Sequence, residues 1–299
     1  SEGWKRWGWQ ANRTEKEKQE IWNDYLVVFD TILPNAVAKF SETDYWESSP
    51  KYGRGNPKYE FEGDAHDWWV WHDAYPFEHL EEHVPHFMSE FGFQSFPSYE
   101  VINYINQSDS IDITSEGFKN HQKHVRGFQL IDEYMARDFP VPNNTEDYAY
   151  ISQLLQAYGI TKGIEAHRRA KPYNMGTLYW QLNDCWPAVS WSSIDFFGNW
   201  KALHYKVKRS FEDVLISFKK EESILKTYIF PTVGCPIELP RSKITVYTGS
   251  GFVSPFTQIE LTRIKIIFPH QLPFSRFIPA FIFLNIHVII FKYVGFFIA

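Results

Sequence analysis

The chain has 299 residues, a formal net charge of −6, 44% hydrophobic and 18% aromatic residues. That is enough apolar material for a sizeable core, and an acidic chain without a basic stripe excludes nucleic acid as a partner. Cys185 and Cys235 stand too far apart for a metal or redox spacing. In chain order, residues 15–40 place Ile21, Tyr25, Val28, Phe29 and Ile32 at helical spacing, with Pro34 disturbing it. Short strand-like runs follow at 43–50 and, after a Gly- and Pro-containing loop at 51–63, at 64–71. A third run at 87–92 precedes a short helix at 98–105, and two longer helices are predicted over 118–137 and 146–169. The last run, 176–184, leads into a helix at 199–212. Short strands alternating with helices predict an α/β fold with a parallel sheet. In a barrel of that kind, chemistry sits on polar residues at the C-terminal ends of the strands. Each run ends that way, at Glu47 and Ser48, His66, Glu90, and Asn183 and Asp184.

The averages hide a break near residue 222. Residues up to that point carry 34 acidic and 23 basic side chains, whereas those beyond it carry 2 and 7. All twelve Trp lie at or before Trp200, and the remainder holds 11 Phe. Residues 213–229 alternate like strands. The 230–275 stretch has no clean period, and the apolar run 277–299 is interrupted by Asn285, His287 and Lys292. A membrane span needs roughly 18–20 uninterrupted apolar residues, so an anchor is not expected. The region 230–299 reads as an atypical tail, foreign in character to what precedes it.

Three segments carry a resemblance. FMSEFGFQSFPSYE at 87–100 is similar to the nucleophile segment of β-mannosidases of glycoside hydrolase family 2, and LYWQLNDCWPAVSWSSIDFFGNWKALHY at 178–205 is similar to their eighth barrel strand and following helix. SEGWKRWGWQ at 1–10 resembles the residues that follow the family's Gly-Asn-Asn-Glu acid/base motif. The resemblance covers about 1–222 and gives no support to 230–299. It implies the later strands and helices of a (β/α)8 TIM barrel over 1–212, the start of an immunoglobulin-like β domain at 213–229, and a short β-rich or irregular tail. It also implies that the acid/base Glu belongs just before Ser1, outside this sequence, so that Glu2 is no substitute. An open part-barrel exposes strand edges and apolar surface, and this polypeptide alone is expected to be unstable or to aggregate.

Such enzymes retain configuration through two carboxyl groups about 5–5.5 Å apart, one nucleophilic and one acid/base. By the resemblance, Glu90 is the nucleophile and Trp180 the platform beneath the sugar. Trp7 lines the same pocket. An Asp-x-His-x-aromatic element matches Asp64, His66 and Trp68, with His66 holding a sugar hydroxyl or orienting Glu90. Alternation along a strand favours Trp68 over its neighbours Trp69 and Trp71 as the ring facing the pocket, while Asn183 and Asp184 are read as loop-fixing. The implied substrate is a β-mannoside or an N-glycan-derived oligosaccharide, cleaved without cofactor or metal. The family's usual setting is periplasmic, secreted or lysosomal. His79, His83 and His86 among Glu78, Glu81 and Glu82 lack a metal-binding spacing and are read as a solvated helix face. Asn106 and Asn143 begin N-x-S/T sequons, a pattern frequent by chance. The competing expectations are a sugar-binding chain without turnover and another exo-glycosidase of the family, namely a β-galactosidase, β-glucuronidase or exo-β-glucosaminidase.

Overall fold

A computed structural model describes Trp4 and residues 8–107, 112–221 and 224–231. Trp7, Cys235 and the 232–299 tail with its apolar run lie outside the described residues. The chain divides into two units between Phe211 and Glu212.

In the first unit, helix α1 (Glu15–Val27) starts at Thr14, whose hydroxyl accepts from Glu17 N while Glu17 Oε2 accepts from Thr14 N at 2.7 Å. This reciprocal cap satisfies two of the end's orphan donors. A π-helical turn at Val28–Ile32 joins α1 to α2 (Leu33–Phe40). Pro34 lies in the first turn of α2, directly after the π turn, and the helical path continues through the predicted disturbance.

The 43–50 run is not a strand among the described residues. Its polar groups bond locally and to the next segment instead. Ser48 Oγ donates to Pro50 O at 2.9 Å, Ser49 Oγ donates to Asp64 Oδ2 at 2.5 Å, and Lys51 pairs with Glu47 at 3.0 Å. Such side-chain bonds compete with a ladder.

Three parallel strands form the sheet in the order β1 (Ala65–Asp67), β2 (Phe87–Phe91), β3 (Gly176–Thr177). β1 stops at Asp67, whose Oδ1 accepts from Trp69 N at 3.1 Å and turns the chain into α3 (Trp69–Asp73). Strand alternation therefore does not govern Trp68, Trp69 and Trp71: the first precedes a helix and the others lie on it. The carboxylate of Asp67 also accepts from Tyr59 OH at 3.0 Å and lies 3.1 Å from Nε2 of His79, on α4 (His79–Glu82). His79 is buried, so the expected solvated helix face is corrected for that residue, while His83 pairs with Glu60 at 2.9 Å and keeps 45% of its side chain exposed.

After β2 come α5 (Tyr99–Asn106), α6 (Glu116–Lys119) and α7 (Gly127–Asp138). The single helix predicted over 118–137 is broken because the intervening segment bonds elsewhere: Val189 N donates to His121 O and Lys123 N to Val189 O. Helix α8 (Thr145–Arg169), capped by Asn144, buries Leu155, Ile160 and Ile164. Gly159 and Gly163 admit the rings of Phe77 and Phe91, since a Cβ there would lie 2.0 and 2.7 Å from them. Trp71, Phe77, Phe91, Phe93 and Phe96 form the aromatic centre of the core. β3 holds only two residues of the predicted 176–184 run. Beyond it, Leu178 N and Trp180 N still donate to Met88 O and Phe91 O before the path becomes irregular. Helix α9 (Ala202–Ser210) ends the unit within its predicted range.

In the second unit, β4 (Val214–Glu221) pairs antiparallel with β5 (Ile224–Pro231). Leu215 and Ser217 are buried while Ile216 and Phe218 are exposed, the alternation that the 213–229 sequence shows. Among the described residues no helix is long and apolar enough to cross a membrane.

Candidate active site

The parallel register sets His66 of β1 beside Glu90 of β2 as Cα partners. Neighbours in register on parallel strands share a face, so the two side chains meet: His66 Nδ1 lies 3.4 Å from Glu90 Oε2. Trp68, one residue past β1, donates Nε1–H to the same oxygen at 3.2 Å. Among the described residues nothing donates to Oε1. Both side chains are part-exposed, His66 at 20% and Glu90 at 27%, so the carboxylate stays open to solvent on one side.

A second layer fixes His66. Its Nε2 lies 3.4 Å from Ser49 Oγ and 3.8 Å from Asp64 Oδ2. Asp64 accepts from Ser49 and, in a very short contact, from Ser89, whose hydroxyl also donates to Ala65 O at 3.2 Å.

Gly92 ties the other wall to this strand end. A Cβ there would stand 2.3 Å from Trp180 O, 3.1 Å from Trp191 and 3.3 Å from the Trp68 ring. Only a glycine lets these three approach together.

No family model matches the chain. It is 30% identical over 207 residues to beta-mannosidase B of Emericella nidulans and 28% identical over 207 residues to that of Aspergillus terreus. Each alignment takes in 65% of this chain and 24% of the relative. The crystal structure of a β-D-mannosidase from Dictyoglomus thermophilum superposes with a TM-score of 0.64 at 34% identity, over 74% of this chain and 27% of that one. This chain is related to the β-mannosidases of glycoside hydrolase family 2. It spans about a quarter of the length of the relatives it matches.

In this β-mannosidase-like chain, four of the five residues singled out in the sequence are described. Glu90, His66 and Trp68 come together directly. Trp180 joins them through its backbone bond to Phe91 and the approach of its carbonyl to Gly92, and the residue is 43% exposed. Ser49, Ser89 and Trp191 are additions. Ser89 and Trp191 sit inside the motifs that carry the resemblance. Ser49 is brought from 41 residues before Glu90 by tertiary folding, and no local pattern marks it.

The segment carrying Trp180 and Trp191 is held by a buried polar network. Asp184 accepts from the hydroxyls of Ser190 at 2.6 Å and Ser192 at 2.5 Å. Gln156 of α8 donates to Phe93 O and Trp191 O at 2.7 and 3.0 Å, and accepts from Ser95 at 2.7 Å. Lys201 Nζ donates to Ser95 O and Ser190 O at 3.3 Å. Burial drives the Lys201 amine down to about 7 against the opposing pull of Asp184 and Asp195. Asp184 therefore fixes the loop, and Asn183 is exposed. A separate open cleft of about 260 Å³, lined by residues such as Asp112, Asn143 and Tyr148, includes none of the groups around Glu90.

Proposed function

We propose that this chain carries the nucleophile side of a retaining glycoside hydrolase site that releases terminal β-D-mannose, built on the later part of a (β/α)8 barrel. The observation that carries it is Glu90 Oε2 held between Trp68 Nε1 at 3.2 Å and His66 Nδ1 at 3.4 Å at adjoining parallel strand ends. Donors on one carboxylate oxygen favour the ionised form and leave the other to attack. Oε1 of Glu90 attacks the anomeric carbon, the bond to the leaving group breaks, and the electron pair departs with that group. With an oxygen leaving group the departing atom takes a proton from the acid/base carboxyl, which by the resemblance is a Glu just before Ser1. Water then attacks the glycosyl ester, gives its proton to the same carboxyl and releases β-mannose. Trp180 lies under the sugar and His66 orients Glu90. Trp7 lines the pocket by the resemblance alone. N-glycan-derived oligosaccharides fit the same reading as natural β-mannosides.

A fluoride leaving group needs no proton, so 2-deoxy-2-fluoro-β-D-mannosyl fluoride isolates the first half-reaction. The expected result is one covalent adduct, mapped by peptide mass spectrometry to Glu90 and absent in Glu90→Gln. The galactose- and glucose-configured fluorides are expected to label more slowly, and faster labelling by either would move the assignment to another exo-glycosidase of the family. Mannose binding with no adduct would mark the chain as a sugar binder without turnover.

A further inference from the structure

Gln156 is fully buried on α8, and its amide joins the two segments that wall the site around Glu90. Nε2 donates to Phe93 O at 2.7 Å, two residues past β2, and to Trp191 O at 3.0 Å, with Ser192 O at 3.3 Å. Oε1 accepts from Ser95 Oγ at 2.7 Å. One planar group thus fixes the spacing between residues 93–95 and 191–192. An amide supplies N–H donors and an acceptor together. An ionised carboxylate here would set its lone pairs against three carbonyl oxygens, and an apolar side chain would leave those carbonyls and Ser95 without this partner.

Two paths lead from that amide to the candidate nucleophile. Trp191 O also accepts from Gln181 N at 3.2 Å, so the carbonyl that Gln156 holds anchors the residue after Trp180. The Trp191 ring stands edge-on to Trp68 with centroids 6.3 Å apart, and Trp68 Nε1 donates to Glu90 Oε2 at 3.2 Å. Among the described residues the buried Trp191 indole N–H has no hydrogen-bond partner. Its ring therefore takes its place from packing and from the backbone that Gln156 holds.

We propose that Gln156 is a positioning residue for this site: through Trp191 it sets Trp68 against Glu90 and holds the Trp180 segment beside Gly92. This rests on the reading of Glu90 as the nucleophile and Trp180 as the sugar platform. Neighbouring α8 side chains hold the same exit segment without reaching the site walls. Ser152 Oγ accepts from Phe96 N at 3.0 Å, and Gln153 donates to Phe96 O at 3.2 Å and accepts from Ala202 N at 3.1 Å. Gln153 therefore supplies a comparison of like chemistry on the same helix.

The test is the maximal rate of labelling by 2-deoxy-2-fluoro-β-D-mannosyl fluoride in variants of the full chain. Gln156→Met is expected to label about 10²-fold more slowly, as for a displacement of about 1 Å at a reacting centre. Gln153→Met is expected to label at the native rate. Gln156→Glu isolates the donor. Burial favours its protonated form, whose O–H replaces one amide N–H, so its rate relative to the native chain at the same pH is expected to rise as the pH falls. A folded Gln156→Met chain labelling at the native rate overturns the proposal, and so does an equal loss in Gln153→Met. If Gln156→Met does not fold, the Gln156→Glu series decides, and a ratio flat with pH overturns the proposal. Fluorine-19 NMR of the 5-fluorotryptophan-labelled chain reads the rings without turnover: Gln156→Met is expected to shift the Trp68, Trp180 and Trp191 signals, and Gln153→Met to leave them in place. A native chain that does not label sinks the nucleophile reading, while unmoved signals in Gln156→Met sink the positioning role alone.

Discussion

Residues 15–40 and residues 59–211 are both rich in aromatic and aliphatic side chains, yet they use them differently. In the first, Trp22, Tyr25 and Phe29 stack on one another with centroids 5.2 and 4.4 Å apart, no residue is fully buried, and Val27 and Ile32 are more than half exposed. In the second, Trp71, Phe91, Phe93 and Phe96 have no exposed surface. The helical period along 15–40 specifies a helix without specifying what covers it. Among its local terms are the Thr14–Glu17 cap and the i,i+4 pair of Lys16 with Glu20. In 59–211 order comes from burial, which contributes about 1.5–3 kcal/mol for each large apolar side chain.

The sharpest way to break this contrast is to truncate the core. Phe93→Ala is expected to cost about 3–5 kcal/mol, read as a large fall in the thermal midpoint, while Phe29→Ala is expected to leave the main transition nearly unmoved. Next in size is Gly159→Ala. Helix propensity alone predicts stabilisation by about 1 kcal/mol. A new Cβ 2.0 Å from the Phe77 ring instead predicts destabilisation, by about 1–3 kcal/mol as for overpacking in general. A denaturant titration reads the sign.

A pH series sharpens the same comparison. Burial against Phe91 drives His167 down to about 3, well below its unfolded value of about 6.5. The folded state therefore favours the neutral ring. The stability linked to it is full above about pH 6.5 and falls as the pH drops toward 3. The difference in unfolding free energy between the native chain and His167→Gln is expected to change across that window and to be flat above it. The smallest effect belongs to the exposed helix. Thr14→Ala is expected to cost about 1 kcal/mol of local helix stability, seen as faster amide exchange at the start of 15–27 with the global transition unchanged.

The same division explains what the sequence made legible. Helix α8 is readable because its cap, length and periodicity agree, and β2 because an apolar run meets a turn at Gly92. Glu90, His66 and Trp68 come from motifs, and the 66–90 register that joins them follows from a parallel sheet. The 43–50 run misleads because Tyr45 and Trp46 look like strand residues, whereas Trp46 packs its indole against Gly63, where φ is +73°. The extent of β1 was unreadable because one side-chain bond from Asp67 to Trp69 N ends it. Ser49 was hidden for a further reason: its role depends on a fold that returns it to Asp64, and a lone serine beside a proline carries no chemical signal.

The central claim is that Glu90 attacks the anomeric carbon, and azide rescue of Glu90→Ala tests it most directly. With an activated aryl β-mannoside, azide fills the space of the lost carboxylate and attacks from the face opposite the leaving group. The expected product is α-mannosyl azide. β-Mannosyl azide would assign Glu90 the acid/base role instead, and no azide product at all would contradict a nucleophilic role for Glu90 in this chain.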